Sequence, residues 1–393
     1  MRKFFLGSTT KDAVSYACGE EMVFELTLYD EEKNVLSVPL LKWETIGDDG
    51  VKRGGMASGE TGKITFSTSI AKPGFVRVFV RACSIDGTPL EGFDIFEGGA
   101  GAEIDKIAQG QPDPEGYDAF WAGEIAAVNA FTPEMIEKVP VESDNPDFDV
   151  YDVKITAPTK RPISAYLSVP KGKEISECGA FLGFVGYGVA EAPKTYRKDE
   201  ISLHLNPHGI ENGREQEYYD NLKKGELAGF GFSDTENAAP ETCYFRDMIR
   251  RGMTALKWLA AASGYNGTPI FIAGGSMGAM QATNVTARAE GLGVKVSLLA
   301  INVPWLCDLG GIEVGRQRGW RPNFREGIRC YDTAAAASRI SVPVTIEAGL
   351  GDYVCPPSGQ VVLWHNFKGE KKITFVQNQT HPYRPVERIT YVR

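Results

Sequence analysis

The chain has 393 residues and a formal net charge of −9 at pH 7, with 42% hydrophobic and 24% charged residues. This length and composition are typical of a globular protein with room for two domains, and the acidic charge argues against nucleic acid or an anionic membrane as the partner. No apolar run approaches the ~20 residues that a membrane-spanning helix needs.

The first part of the chain, residues 1–98, is predicted to form an all-β domain. Short runs of β-branched and aromatic residues alternate there with turns rich in Gly and Asp, and the clearest runs are 22–28, 63–66 and 75–81. Strands of this length and spacing predict an immunoglobulin-like sandwich.

The next part, residues 99–140, is predicted to hold an interdomain linker and one helix. The linker is expected at the glycine-rich run 97–101, and the helix at 116–130. Phe120 and Trp121 fall on the apolar side of this helix, where we expect them to anchor it to the core.

The remaining part, residues 141–393, is predicted to be a catalytic domain built on a mainly parallel sheet. It opens with a β-hairpin, 150–155 and 163–169, after which strands and helices alternate. A polar stretch of unusual length, 209–241, interrupts the alternation. Loops of this length are often functional, although a surface excursion that serves oligomer contacts explains it equally well.

Residues 270–278 have the pattern of a nucleophile elbow. The apolar run 270–273 predicts a buried strand, which ends at Gly-Gly-Ser-Met-Gly, and a helix is predicted from Ala279. In G-x-S-x-G the serine lies on a sharp strand-to-helix turn that exposes its oxygen, and the helix N-terminus favours developing negative charge. The motif alone is weak, but this context favours Ser276 as a nucleophile.

An acid and a histidine each follow a later strand. The predicted strand 342–348 leads to Asp352, and the strand 372–377 leads to His381. The chain order Ser276, Asp352, His381 is that of the α/β-hydrolases. Ser276 is then the nucleophile, His381 the general base, and Asp352 the acid that fixes the imidazole tautomer. Asp308, which also follows a predicted strand, is the weaker candidate for the acid.

The other three histidines are weaker candidates for the base. His365 lies in a predicted helix and His204 in an apolar strand, where packing explains both. His208 lies at the end of that strand and could approach the site, but it precedes the serine in the chain.

The chain resembles the acetyl xylan esterase and cephalosporin C deacetylase family of α/β-hydrolases from about residue 112 to residue 382. The resemblance implies an α/β-hydrolase fold, here preceded by the β-sandwich. It also implies an oxyanion hole formed by the backbone N–H groups of Tyr187 and Met277. The matching stretches, in family order, are Asp118-Ala-Phe-Trp121, Phe184-Val-Gly-Tyr-Gly188, Cys243-Tyr-Phe-Arg-Asp247, Gly274-Gly-Ser-Met-Gly278, Val303-Pro-Trp-Leu306, Gly351-Asp-Tyr-Val-Cys-Pro-Pro-Ser358 and Thr380-His381.

The chain departs from this family at three points. Met277 stands where the family has Gln, so a backbone donor is kept and a side-chain contact is lost. His208-Gly209 replaces an Arg-Gly pair and is expected to reshape one wall of the substrate pocket, which Trp305 is also expected to line. The N-terminal β-domain of about a hundred residues is additional.

The resemblance implies a serine carboxylesterase that removes acetyl groups from acetylated carbohydrates through an acetyl-enzyme. A longer-chain esterase or a serine peptidase on the same fold is an alternative, and a non-catalytic carbohydrate-binding protein is another. The expected partner is an acetylated oligosaccharide or another small acetate ester, and the resemblance favours a homo-oligomer. No metal and no cofactor are expected.

Sequence features also favour a cytoplasmic protein. The apolar run that follows Lys3 is too short for the core of a signal peptide, although secretion stays open for a chain that has lost its leader. The seven cysteines are irregularly spaced, which favours reduced thiols over a disulfide framework.

Overall fold

The computed structural model describes residues 2–264 and 269–393. Its N-terminal part contains seven strands: β1 (Lys3–Thr9), β2 (Met22–Asp30), β3 (Leu40–Gly47), β4 (Lys52–Ser58), β5 (Lys63–Thr68), β6 (Gly74–Cys83) and β7 (Phe96–Ala102). They form two antiparallel sheets, with the orders β1-β2-β5 and β4-β3-β6-β7. Alternate residues face the space between the sheets, where Phe66 stacks between Phe24 and Trp43. The predicted β-sandwich is confirmed.

The run 97–101, predicted as a linker, is instead the greater part of strand β7. It pairs with β6, with Gly98 opposite Val78. A Cβ atom on Gly99 would lie 2.6 Å from the carbonyl oxygen of Val76 and 2.9 Å from that of Leu350. The glycines therefore permit close packing of this strand against the second domain, and the sandwich extends to residue 102.

The second domain contains a ten-stranded sheet. Its strands are β8 (Met135–Val141), β9 (Phe148–Ile155), β10 (Ile163–Pro170), β11 (Gly179–Phe184), β12 (Glu200–Leu205), β13 (Ile270–Gly275), β14 (Val296–Asn302), β15 (Val344–Gly349), β16 (Lys371–Val376) and β17 (Thr390–Val392). Their order is β17-β16-β15-β14-β13-β11-β12-β10-β9-β8, and the six strands β11 to β16 run parallel to one another. The β9–β10 hairpin lies where it was predicted.

Six α-helices are described: α1 (Tyr117–Asn129), α2 (Gln216–Lys224), α3 (Phe245–Ala262), α4 (Met277–Thr286), α5 (Thr333–Ala337) and α6 (Pro357–Asn366). Trp121 of α1 is buried and donates its indole N–H to the Cys330 carbonyl oxygen at 3.0 Å, so it anchors the helix as expected. Glu124 of α1 is buried between Arg246 and Arg250 of α3. In the described ranges no helix has the length and apolar character that crossing a membrane requires.

The two domains meet along β7. The side-chain oxygen of Gln377 accepts the N–H of Gly99 at 2.9 Å, and its amide nitrogen donates to the Gly99 carbonyl oxygen at 3.0 Å. The side-chain oxygen of Asn378 accepts the N–H of Glu97 at 2.9 Å. Because Gln377 and Asn378 shortly precede His381, the sandwich helps to fix the segment that carries this histidine.

Candidate active site

Ser276 lies in the turn between β13 and α4 in a strained backbone conformation. Its φ of 56° and ψ of −123° fall where a side chain costs about 1–3 kcal/mol. A Cβ atom on Gly274 would lie 2.3 Å from the Gly278 carbonyl oxygen, and one on Gly278 would lie 2.4 Å from the Phe184 carbonyl oxygen. Only glycine fits at both flanking positions, so the chain makes the sharp turn that the motif predicts.

Asp352 and His381 form a hydrogen-bonded pair. Nδ1 of His381 lies 2.9 Å from Oδ2 of Asp352. The other carboxylate oxygen accepts the N–H groups of Val354 (3.0 Å) and Cys355 (2.9 Å). The carboxylate is fully buried, whereas about a quarter of the His381 side chain is exposed. Since the carboxylate accepts the Nδ1 proton, Nε2 is left as the basic nitrogen.

The sheet explains why residues so distant in the chain lie at one edge. Ser276 follows β13, Asp352 follows β15 and His381 follows β16, and these strands run parallel. The carboxyl ends of parallel strands point the same way, so all three residues lie at the same edge of the sheet.

Asp352, Cys355 and His381 also hold three candidate metal-ligand atoms within 4.8 Å of one another. The carboxylate already accepts three hydrogen bonds. Burial, together with the charge of Asp352, raises the pKa of the Cys355 thiol well above its usual value, which disfavours the thiolate that a metal requires. The donor set therefore fits an acid–imidazole pair better than a metal centre.

The backbone N–H groups of Met277 and Tyr187 are both placed near the serine. Met277 is the first residue of α4, and its side chain is fully buried in the core. A Cβ atom on Gly186 would lie 3.7 Å from that of Ser276, so the Tyr187 loop borders the serine. Across residues 2–264 and 269–393, neither N–H donates to a protein acceptor. Both are available to a bound oxygen.

An aromatic cluster that the sequence analysis missed surrounds Tyr187. Its ring stacks on Phe230 at 4.1 Å between centroids and meets the edges of Trp320 at 4.7 Å and Phe232 at 5.9 Å. Phe230 and Phe232 belong to the stretch 209–241, which also contains α2 and is therefore not a structureless loop. The run Gly229-Phe-Gly-Phe232 is the sequence feature that could have indicated this cluster. No motif in the neighbouring sequence indicates that Trp320 belongs to it.

His208 and Trp305, both expected to line the substrate pocket, are each only 1% exposed. Trp305 donates its indole N–H to the Trp320 carbonyl oxygen at 2.6 Å. Its backbone N–H donates to the carbonyl oxygen of Ser276 at 3.2 Å. Trp305 is thus bonded to the Ser276 turn and to Trp320 within the core, and the lining of a substrate pocket by Trp305 and His208 stays a prediction.

His208 supports the Tyr187 loop from behind. Its Nε2 lies 2.8 Å from the carbonyl oxygen of Gly188, which must accept the Nε2 proton. Nδ1 then accepts the hydroxyl proton of Tyr244 at 2.7 Å. Burial lowers the pKa of His208 to about 4, so the ring is neutral near pH 7.

The other weaker candidates are occupied elsewhere. Asp308 forms an ion pair with Arg316 and accepts the N–H of Gly110 at 2.7 Å, whereas His381 is bonded to Asp352. His365 lies 3.0 Å from the Ile107 carbonyl oxygen, as expected for a packed helical residue. His204 is bonded to Thr195.

Comparisons with known proteins find related esterases. The model of the acetyl xylan esterase (AXE1) family matches residues 102–314 and 326–390. Acetyl esterase Axe7A from Xylanibacter ruminicola is 25% identical over 347 residues, a match that covers 81% of this chain and 74% of the relative. Acetyl xylan esterases from Paenibacillus sp. R4 and Thermoanaerobacterium sp. superpose with TM-scores of 0.56 and 0.53, at 18% and 17% identity. Each superposition covers 72% of this chain and 94% of the neighbour.

The two superposed structures share the fold of this chain, and the family match extends over more than half of it, through Ser276, Asp352 and His381. The chain therefore belongs to the acetyl xylan esterase family of α/β-hydrolases and is a carboxylic ester hydrolase.

Proposed function

We propose that this enzyme removes acetyl groups from acetylated carbohydrates, with Ser276 as the nucleophile, His381 as the general base and Asp352 as the acid that orients it. The observation that carries the proposal is the strained Ser276 turn at the sheet edge that also holds the hydrogen-bonded Asp352–His381 pair. Membership of the acetyl xylan esterase family supports the substrate class.

The reaction proceeds in two halves. Nε2 of His381 takes the hydroxyl proton of Ser276 as its oxygen attacks the acetyl carbon. The tetrahedral oxyanion accepts the N–H groups of Met277 and Tyr187, which stabilise charge that is absent from the ground state. The intermediate collapses, the sugar alkoxide leaves with the proton from His381, and an acetyl-Ser276 ester forms.

Water completes the second half. His381 removes a proton from a water molecule as the water attacks the acetyl-enzyme, and the same two N–H groups hold the second oxyanion. Collapse returns the proton to Ser276 and releases acetate. Throughout, Asp352 holds the Nδ1 proton of His381 and stabilises the imidazolium that forms in each half.

The test is acetate release from acetylated xylo-oligosaccharides, acetylated monosaccharides and cephalosporin C, measured side by side. Ser276→Ala should abolish release, whereas Ser297→Ala, which alters an exposed serine of β14, should keep it. Faster hydrolysis of octanoyl than acetyl esters would establish a longer-chain esterase instead, and cleavage of peptides a peptidase. Binding of sugars with no turnover of any ester would establish a non-catalytic carbohydrate-binding protein.

A further inference from the structure

The segment 315–325 lies between the two matched parts of the family model. The matched residues on either side include those proposed to carry the ester chemistry, whereas the match does not cover this segment.

Polar contacts hold the segment 315–325 at both ends. Gln317 donates twice to the sandwich, from its N–H to Oδ1 of Asp48 (3.2 Å) and from its side chain to the Ile46 carbonyl oxygen (3.1 Å). At the other end, Asn323 and Arg325 both donate to the carboxylate of Asp234, at 3.1 and 2.7 Å. The segment therefore spans from the N-terminal domain to the stretch 209–241.

Between these anchors the segment places Trp320 beside the candidate active site. The N–H of Trp320 donates to the carbonyl oxygen of Val354 at 2.9 Å, in the loop that carries Asp352. Its carbonyl oxygen accepts the indole N–H of Trp305. Its ring lies 4.7 Å from the centroids of both Tyr187 and Phe232. Trp320 thus contacts both the loop that carries Asp352 and the loop that carries Tyr187.

Trp320 is 42% exposed, although the aromatic residues around it are buried or half-buried. A single exposed apolar side chain is ordinary on a protein surface, but this one adjoins the proposed oxyanion loop. Its indole N–H has no acceptor within the part of the chain that the structure describes. A large apolar face with a free donor at its edge is suited to a ligand that has an apolar face and hydroxyl groups at its rim.

We infer that Trp320, with Phe232 and Tyr187, forms a subsite that holds one pyranose ring of an acetylated oligosaccharide next to Ser276. The indole packs on the C–H face of the sugar, and its N–H donates to a ring hydroxyl. The subsite makes the segment 315–325 a determinant of preference for oligosaccharides over simple acetate esters. This inference rests on the proposed deacetylase function and specifies its substrate.

The kinetic test compares acetylated xylo-oligosaccharide with ethyl acetate, an ester that has no sugar ring. Trp320→Ala should lower the ratio of the two kcat/KM values about tenfold, equivalent to about 1.4 kcal/mol, mainly through KM for the oligosaccharide. Trp320→Phe, which keeps a ring, should recover part of the ratio. Trp364→Ala, which removes a half-buried tryptophan of α6, is the control and should leave the ratio unchanged. An unchanged ratio in Trp320→Ala, with both substrates affected equally or neither affected, would overturn the inference.

A binding test separates failure of the subsite from failure of the proposed function. Calorimetry measures the affinity of Ser276→Ala for unacetylated xylo-oligosaccharide and needs no turnover. It therefore tests the subsite even if the enzyme releases no acetate from sugars. Adding Trp320→Ala to Ser276→Ala should weaken binding about tenfold. Equal affinity in the two variants, or no binding in either, would reject the subsite.

Discussion

Replacement of His208 by Ala should reduce turnover through the oxyanion loop, although His208 contacts neither Ser276 nor His381 in the described hydrogen-bond network. The imidazole joins the Tyr244 hydroxyl to the Gly188 carbonyl, directly beside Tyr187. Without it, the loop that carries the Tyr187 N–H loses its hydrogen-bonded support. Loss of one oxyanion donor costs about 3 kcal/mol, or roughly a hundredfold in kcat.

The same change should also destabilise the fold. His208 is 1% exposed, and its removal leaves two partly buried groups, the Tyr244 hydroxyl and the Gly188 carbonyl, without their imidazole partner. Each such group costs about 1–3 kcal/mol, and the cavity adds to this. We expect the free energy of unfolding to fall by about 4 kcal/mol, so kinetics must be measured well below the melting temperature.

The assay is kcat and KM for 4-nitrophenyl acetate, with urea unfolding in parallel. His208→Gln can still donate to Gly188 and should regain part of kcat. His204→Ala removes a neighbouring histidine that is bonded to Thr195 and should lower stability with little loss of kcat. A His208→Ala enzyme that is destabilised but keeps wild-type kcat would refute the positioning role.

Four further outcomes are expected. Asp352→Asn should lower kcat about 10⁴-fold while the circular dichroism spectrum is kept; near wild-type kcat would move the acid role elsewhere. Burial lowers the pKa of His204 and of His208 to about 4, so between pH 6.5 and 4 protons bind mainly to the unfolded chain. The free energy of unfolding should therefore fall on acidification over that range, by up to about 1.4 kcal/mol per pH unit for each histidine. Urea unfolding at several pH values should show that this free energy depends less steeply on pH in each single His→Gln variant. Acetyl esters should exceed butyryl esters in kcat/KM, as expected of an acetyl esterase, since each misfitting methylene costs about 1–3 kcal/mol; equal values for the two esters would refute the preference for acetyl groups. A chain that begins at residue 103 should lose stability and activity together, because it lacks the β7 partners of Gln377 and Asn378; full activity in that chain would show that the sandwich does not support the His381 segment.

The residues of the proposed triad were predictable because their signals are local. The glycines around Ser276 mark a turn that only they permit, and apolar runs mark the strands that lead to Asp352 and His381. Parallel pairing then brings the three to one sheet edge without any further information. The family resemblance added the proposed oxyanion hole, formed by the backbone N–H groups of Tyr187 and Met277. The residue pattern alone would not have indicated it.

The errors came from contacts between segments that are distant in the chain. Strand β7 is rich in glycine because Gln377 fills the space beside Gly98 and the backbone of Leu350 fills the space beside Gly99. The sequence of the strand itself cannot show this. His208 looked accessible at the end of a strand, yet Phe230 and Tyr244 cover it. Trp320 carries no motif, and its place beside Tyr187 is set by anchors in two other parts of the chain.

The most direct test of the central claim is to trap the covalent intermediate. The enzyme is mixed with excess 4-nitrophenyl acetate, quenched in acid within the first turnovers and digested, and the acetylated peptide is located by mass spectrometry. We predict one acetyl group, carried by Ser276 in the wild-type enzyme, and no acetylated peptide at this position in Ser276→Ala. Acetylation of a different residue that accounts for turnover, or wild-type acetate release by Ser276→Ala, would contradict the assignment.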